Sequence, residues 1–283
     1  MTATASSSPK LRVDTRGTNE LPPHLDENLL TPRFYVTEFK KAAKTELTDA
    51  REEFEAMLSE MKADYNCTHF DRKASLDRLQ ELPQKAKETY ESYLVRSVIS
   101  EFSGFLLFKE ISNRLKKEGN RDLGKLFQFL ARDEARHAGF LSRALVAEGI
   151  EVDLPHLGGK RAATWFPISW VIYSVYLSEK IGYWRYILMD RHLKANPGEA
   201  FAPLFDFFEP WCQDENRHGD CFTVMMRCWP GITKGWRGKL LSRFFLWSVF
   251  LTHTLTVCER GEFYELLGIE PKEFDEEVIK RTN

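Results

Sequence analysis

Apolar positions recur at helical spacing through most of the chain. Between about Glu46 and Lys62 they fall at Leu47, Ala50, Phe54, Met57, Leu58 and Met61, one face of an amphipathic helix. A longer pattern runs from about Pro83 to Lys117, apolar at its centre from Tyr93 to Phe108, and Gly119-Asn120 stops it. A third helix is predicted from about Asp122 to Glu148, ended by Gly149, and Pro155, Gly158 and Gly159 mark 150–163 as a connection. The next helix, about Pro167 to Lys194, is apolar on most faces and breaks at Asn196-Pro197-Gly198. Another is predicted from about Glu199 to Cys228, stopped by Trp229-Pro230-Gly231. Residues 236–267 read as a last long helix, with a short one after Pro271. Thr31-Pro32-Arg33-Phe34-Tyr35 is an extended or turn-like lead-in, and Asp64 to Ser75 is polar and turn-rich. No run alternates β-branched residues as a strand does, so the fold class is all-α. Residues 1–30, with Pro22-Pro23 and little periodicity, read as a mobile arm, and 31–283 as one helical domain.

Some polar residues break this pattern. Glu101 stands in the middle of one apolar run and Glu179 in the middle of another. A carboxylate at such a position is costly unless something compensates it. Each is followed by the same word. Asp133-Glu134-Ala135-Arg136-His137 and Asp214-Glu215-Asn216-Arg217-His218 both read D-E-x-R-H. The upstream stretches also match: Glu101-Phe102-Ser103-Gly104-Phe105 and Glu179-Lys180-Ile181-Gly182-Tyr183 share E-x-x-G-aromatic. Glu101 precedes Glu134 by 33 residues and Glu179 precedes Glu215 by 36. Either interval suits one helix, a short turn, and a return to the same height in an antiparallel partner.

This internal duplication points to a metal site. Residues i and i+3 share a helix face, so the Glu and His of one word can close on one ion. Four helices delivering Glu101, Glu134 with His137, Glu179, and Glu215 with His218 supply four carboxylates and two imidazoles. That is the ligand set of a di-iron or di-manganese ferritin-like bundle. The predicted architecture is therefore a ferritin-like four-helix bundle with a duplicated helix pair and extra flanking helices. Carboxylate oxygens and imidazole suit iron, and four carboxylates balance two divalent ions. Asp133 and Asp214 are expected to hold the histidines of the opposite half, with Arg136 and Arg217 neutralising them. One E-x-x-H alone would be an ordinary helix surface; two copies with matched partners are not.

Composition narrows the class. With 283 residues and 43% hydrophobic content, the chain can build one large α domain or two smaller ones. A net charge of -2, with basic and acidic residues interleaved, argues against nucleic acid as a partner. Five scattered cysteines form no C-x-x-C pair, and Met1–Ser8 has no secretory signal pattern, so an intracellular, reducing setting is expected. Cys221 and Cys228 read as buried apolar thiols. His69, His156, His192 and His253 lack a partner word and read as structural or surface; Phe102, Phe105, Phe127, Phe129, Tyr176 and Trp184 read as core. Trp165–Leu177 and Phe244–Cys258 are aromatic and almost uncharged, but shorter than the ~20 apolar residues that span a bilayer. They fit core helices, peripheral membrane contact, or a flat aromatic substrate. No G-x-G-x-x-G dinucleotide fingerprint occurs, so electrons for an iron centre are expected from a separate reductant.

Several blocks carry a resemblance. EFSGFLLFKE (101–110), RDEARHAGFL (132–141), YLSEKIGYWRYI (176–187), WCQDENRHGD (211–220) and RFFLWSVF (243–250), with LLTPRFYVTEF and DYNCTHF before them, resemble the aerobic magnesium-protoporphyrin IX monomethyl ester cyclases. The resemblance covers about residue 29 to the end. It implies a di-iron, O2-dependent enzyme of chlorophyll and bacteriochlorophyll synthesis, acting on magnesium-protoporphyrin IX 13-monomethyl ester. It further implies electrons from NADPH, delivered through a ferredoxin, peripheral membrane association at a photosynthetic membrane, and a small accessory subunit for some members. Chains of that family usually run further past the position of Asn283. Beside this reading stand two alternatives: another di-iron oxidase or desaturase, and a ferroxidase or iron-handling ferritin-like protein. A porphyrin-sized cavity beside the metal donors is expected for the first and not for the last. The spacing does not reveal substrate-contacting residues.

Overall fold

The computed structural model describes residues 32–44, 50–70, 76, 82–160, 162–227 and 230–282. The arm predicted over 1–30, the predicted start of the first helix at Glu46, and Cys228 lie outside the described residues, as does the side chain of His156. In chain order the elements are β1 (Tyr35–Thr37), α1 (Phe39–Ala42), α2 (Arg51–Ala63), α3 (Gln84–Lys117), α4 (Arg121–Ala147), α5 (Leu154–Lys160), β2 (Thr164–Phe166), α6 (Ile168–Ala195), α7 (Phe208–Arg227), α8 (Pro230–Thr233), α9 (Gly235–Glu259), α10 (Gly261–Leu266) and α11 (Pro271–Thr282). The fold is an all-α bundle.

The long helices end where their local chemistry dictates. Gly119 takes φ +94° just after α3, and Asn120 opens α4 by accepting a hydrogen bond from the Leu123 amide at 3.3 Å. Gly149, at φ +79°, closes α4. Three departures from the periodicity have physical causes. The helix expected from Glu199 begins only at Phe208, because Pro203 holds Ala202 extended (φ −131°, ψ 140°) and two 3-10 turns fill the gap. The last long helix divides at Arg260, whose φ −102° and ψ 18° interrupt it before Gly261. The lead-in forms a short parallel pair with the residues before α6, Val36 opposite Trp165, tied by Thr37 Oγ1 donating to the Phe166 carbonyl at 2.9 Å.

Helix α3 packs along α4 and α6 along α7, giving two helical hairpins, while α2 lies across α4 and α7. Two hydrophobic cores result. One gathers Leu94, Val98, Leu141, Met189, Phe208 and Trp211. The other gathers Phe108, Ile111, Leu126, Leu130, Ile172 and Phe222. The residues between them on the same four helices are polar. Glu101, Asp133, Glu134, His137, Glu179, Asp214, Glu215 and His218 form this layer, none more than 8% exposed. The two aromatic stretches separate here. Val171, Ile172, Tyr173 and Leu177 of α6 are buried, whereas Trp236, Leu240, Phe244, Trp247, Leu251 and Leu255 of α9 are exposed.

Candidate metal centre

The helical hairpins bring all six predicted donors into two groups, and the grouping crosses the words. Glu101, His137 and Glu215 form one, and Glu134, Glu179 and His218 form the other, with the donor atoms of each within 4.8 Å of one another. His137 Nδ1 lies 3.1 Å from Glu101 Oε2 and 3.8 Å from Glu215 Oε1. His218 Nδ1 lies 3.3 Å from Glu134 Oε1 and 3.4 Å from Glu179 Oε2. The sequence suggests that Glu and His of one word close on one ion; in this grouping each word's glutamate lies beside the histidine of the other word. The reason is antiparallel packing of α4 against α7, which sets one word beside the other.

The glycines of E-x-x-G explain how the glutamates fit. A Cβ at Gly104 would stand 2.8 Å from Glu134 Oε2, and one at Gly182 would stand 3.0 Å from Glu215 Oε2. A carboxylate therefore occupies the space of a missing side chain on the partner helix, once in each half.

Asp214 Oδ2 lies 3.2 Å from His137 Nε2, and Asp133 Oδ2 lies 3.8 Å from His218 Nε2. Each aspartate thus faces the histidine of the opposite half. Arg132 grips Asp133 through Nε at 2.9 Å and Nη2 at 3.3 Å, and Arg136 Nη1 adds a contact at 3.2 Å. Arg217 Nη1 reaches Asp214 Oδ1 at 3.3 Å and Arg217 Nε reaches Glu60 at 3.3 Å. Around both halves runs the segment after α2, including a 3-10 turn at Tyr65–Thr68. Asn66 joins the halves: its amide donates to Asp214 Oδ1 at 2.9 Å, and its carbonyl oxygen accepts from Arg136 at 3.2 Å. Asp64 takes two hydrogen bonds from Arg136, at 2.6 and 2.8 Å, from a left-handed backbone (φ 56°). His69 Nδ1 lies 3.2 Å from Asp214 Oδ1. Its place beside the site goes beyond the structural or surface role read from sequence.

Trp211, Phe70, Arg132, Asp64 and Asn66 are further residues that the pattern of the words did not reveal. Trp211 donates from Nε1 to Glu215 Oε1 at 2.8 Å, and the rings of Phe70 and Trp211 pack on His137 at 5.2 and 5.4 Å. The block DYNCTHF held the available signal for Asp64, Asn66 and His69, since polar residues cluster there between helices. Elsewhere His192 is held by Glu199 at 2.7 Å and the Leu267 carbonyl at 2.9 Å, and His253 is buried 3.4 Å from Asp275. Cys221 is buried and its thiol is pushed up to about 12 by that burial.

Without metal the site must hold protons. Burial, then the neighbouring Glu101, raises Glu134 to about 8. Burial, then Glu179 and Glu101, raises Glu215 well above the usual carboxylate range. Burial lowers His137, but Asp214 and Glu101 outweigh it and raise the imidazole; Asp133, Glu134 and Glu179 likewise outweigh burial at His218. Glu179 is raised by burial but lowered on balance by His218. Among the described residues, both ring nitrogens of His218 are buried without a hydrogen-bond partner. A buried, unsatisfied imidazole facing two carboxylates fits a metal ligand.

A cavity of about 170 Å³ opens on the four glutamates between α3 and α6, with Tyr35, Ser100 and Ser178 at its exposed rim and Arg185 in its wall. It is smaller than the roughly 300–1,000 Å³ of pockets that enclose ligands. The porphyrin-sized cavity expected beside the donors is therefore not seen among the described residues.

Comparison with known proteins agrees with this geometry. The rubrerythrin family model matches residues 92–226, from within α3 to the last turn of α7. A magnesium-protoporphyrin IX monomethyl ester oxidative cyclase of Prochlorococcus marinus is 76% identical over 100% of this chain and 80% of its own length. Cyclase 2 of Thermosynechococcus vestitus is 54% identical over 91% of this chain and 73% of its own. Cyclase 1 of Nostoc sp. is 52% identical over 91% of this chain and 73% of its own. No solved structure matches the chain.

Proposed function

The chain belongs to the magnesium-protoporphyrin IX monomethyl ester oxidative cyclase family, and from that membership we infer that it closes the isocyclic ring of its tetrapyrrole substrate. The substrate is magnesium-protoporphyrin IX 13-monomethyl ester and the product divinyl protochlorophyllide, a step of chlorophyll or bacteriochlorophyll synthesis. The methylpropionate arm is hydroxylated, oxidised to a ketone and joined to the macrocycle. The observation that carries this reading is the buried layer of six donors, open to one cavity between α3 and α6.

Glu101, His137 and Glu215 would hold one iron ion, and Glu134, Glu179 and His218 the other. When bound, the iron pair supplies O2 activation and the oxidising power that an unactivated C–H bond demands. The protein's own groups do the rest. Four carboxylates offset the charge of two divalent ions, so the loaded layer is near neutral between two apolar cores. Asp214 fixes the ring of His137 through Nε2, and Asp133 faces His218 in the same sense. The two cores exclude water from both ends, leaving the Ser100–Ser178 opening for the reacting arm.

Electrons come from NADPH through a ferredoxin, O2 is the co-substrate, and a small accessory subunit joins where needed. The protein associates peripherally with a membrane through α9. By length and composition this helix could cross a bilayer, yet it is tied to the bundle through α6 and α11; only 17% of its most apolar stretch is buried, so the rest faces outward. Its exposed Trp236, Leu240, Trp247 and Leu251 instead suit the interfacial plane, with Arg237, Lys239 and Arg243 beside them.

The test is reconstitution. Reduced, fully iron-loaded protein with the monomethyl ester, ferredoxin, its reductase, NADPH, O2 and any required accessory subunit should yield the isocyclic-ring product. Full iron loading with no such product would overturn the reading.

A further inference from the structure

The cavity beside the metal donors holds a cation that the proposed redox centre does not use. Arg185 lies on α6 nearly two turns beyond Glu179, and it lines the same cavity as Glu101, Glu134 and Glu215. Its guanidinium rests 5.1 Å from the ring of Tyr186. Among the described residues no carboxylate lies within ion-pair distance of it. The four glutamates nearby are committed to two divalent ions in the loaded protein. A second cation lies near the first: Arg260, which lines a separate cavity with Tyr93, feels the charge of Arg185. Arg260 Nε and the Tyr93 hydroxyl are buried without hydrogen-bond partners among the described residues, and the Arg260 guanidinium lies 5.7 Å from the Tyr93 ring. Burial first, and the charge of Arg185 next, push Arg260 below the ordinary arginine range. Arg185, partly buried with no carboxylate at ion-pair distance, is the cation that lines the open cavity, and a guanidinium so placed is costly until an anion reaches it.

We propose that Arg185 binds the free carboxylate of the substrate and so selects and orients the monomethyl ester. This rests on the cyclase reading. Protoporphyrin IX carries two propionate arms on neighbouring pyrroles, at one edge of the macrocycle. In the monomethyl ester one arm is capped and the other is ionised. The cavity of about 170 Å³ has room for such arms and not for the macrocycle. The edge bearing both arms therefore enters between Ser100 and Ser178, and the ring plane stays outside at the rim near Tyr35. A guanidinium pairs with a carboxylate through two parallel N–H···O bonds, which fixes direction as well as charge. With the ionised arm on Arg185, the esterified arm is the one left facing the six donors.

The experiment compares the monomethyl and dimethyl esters of magnesium-protoporphyrin IX on iron-loaded protein, reading binding by porphyrin absorbance titration and turnover separately. Wild type should bind the monomethyl ester roughly 10–100-fold more tightly than the dimethyl ester, the range of a charge-assisted pair. Arg185→Gln should lose that preference by weakening only the monomethyl ester, with iron content and helicity unchanged. Arg185→Lys should restore part of it. Equal binding of the two esters by wild type overturns the proposal without any variant. So does full discrimination in iron-loaded Arg185→Gln. Discrimination in binding by a fully loaded wild type that forms no ring leaves the pairing standing and overturns the catalytic reading instead.

Discussion

His137 and His218 end two copies of one word, but they sit in different company. Both nitrogens of His137 meet partners, Glu101 at 3.1 Å and Asp214 at 3.2 Å. His218 faces Asp133 only at 3.8 Å, and neither of its nitrogens is hydrogen-bonded among the described residues. Glu215 accepts an indole N–H from Trp211, four residues before it, whereas the matching position before Glu134 is Leu130. Asp214 is contacted by Asn66, Arg217 and His69; Asp133 is contacted by Arg132 and Arg136. The donor atoms are duplicated and their supports are not. A repeat can keep its chemistry while each half draws hydrogen bonds from whatever segment lies against it. Here the turn after α2 presses Asn66 and His69 on the second half and Asp64 on the arginines of the first.

Removing a donor should erase the contrast altogether. His137→Ala and His218→Ala, like Glu134→Ala, should each lose stoichiometric iron while helical content by circular dichroism largely survives. Full iron retention in both histidine variants would dismiss the ligand assignment. Next come the aspartates. Asp214→Asn should weaken iron binding by about 10–100-fold, the usual range for a group that orients a metal-bound histidine. Asp133→Asn should cost less, because 3.8 Å is a looser contact than 3.2 Å. Equal losses, measured by chelator competition, would show that the asymmetry carries no energy. Smaller still is the effect of the glycines. Gly104→Ala should destabilise the protein by about 1–3 kcal/mol, as overpacking does, and Gly182→Ala by less, since the clash is 3.0 Å rather than 2.8 Å. Denaturant melts would rank them.

The gentlest probe is pH. In the metal-free protein Glu134 is raised to about 8, above the usual carboxylate value near 4.5. The folded state then binds more protons than the unfolded one between those values, so stability falls as pH rises through that window. His137 and His218 are also raised, and their contribution is full below about 6.5 and is lost as pH climbs further. Metal displaces these protons. The metal-free protein should therefore melt at progressively lower temperature from pH 6.5 to 8, and iron-loaded protein should show a much flatter profile. Matching profiles would mean that the protons sit elsewhere.

Much of this site is legible in the sequence. Glu101 and Glu179 declared themselves by interrupting apolar runs, and the two words by repeating. Those signals are local, because helical periodicity and duplication are properties of neighbouring residues. Asp64, Asn66, His69, Trp211 and Arg185 were not legible as site residues. Each acts across a gap in sequence or from a helix face whose direction the spacing leaves open. Gly104 and Gly182 fall between these cases: their positions were visible in E-x-x-G, but their purpose required the opposing carboxylate to be in place.

Helices α6 and α9 mark the limit most clearly. Both are apolar nearly all round, and their helical nature, their approximate lengths and the place of Glu179 within one of them can be read from the spacing of residues. The duplication likewise reveals two equivalent helical pairs. That α6 lines the layer of donors while α9 leaves Trp236 and Trp247 exposed, and that Glu134 and Glu215 each lie beside the histidine of the other word, emerges from the packing alone. The physical reason is that periodicity records which face of a helix avoids water. Which surface covers that face, and how two such faces cross, follows from packing among segments far apart in the chain.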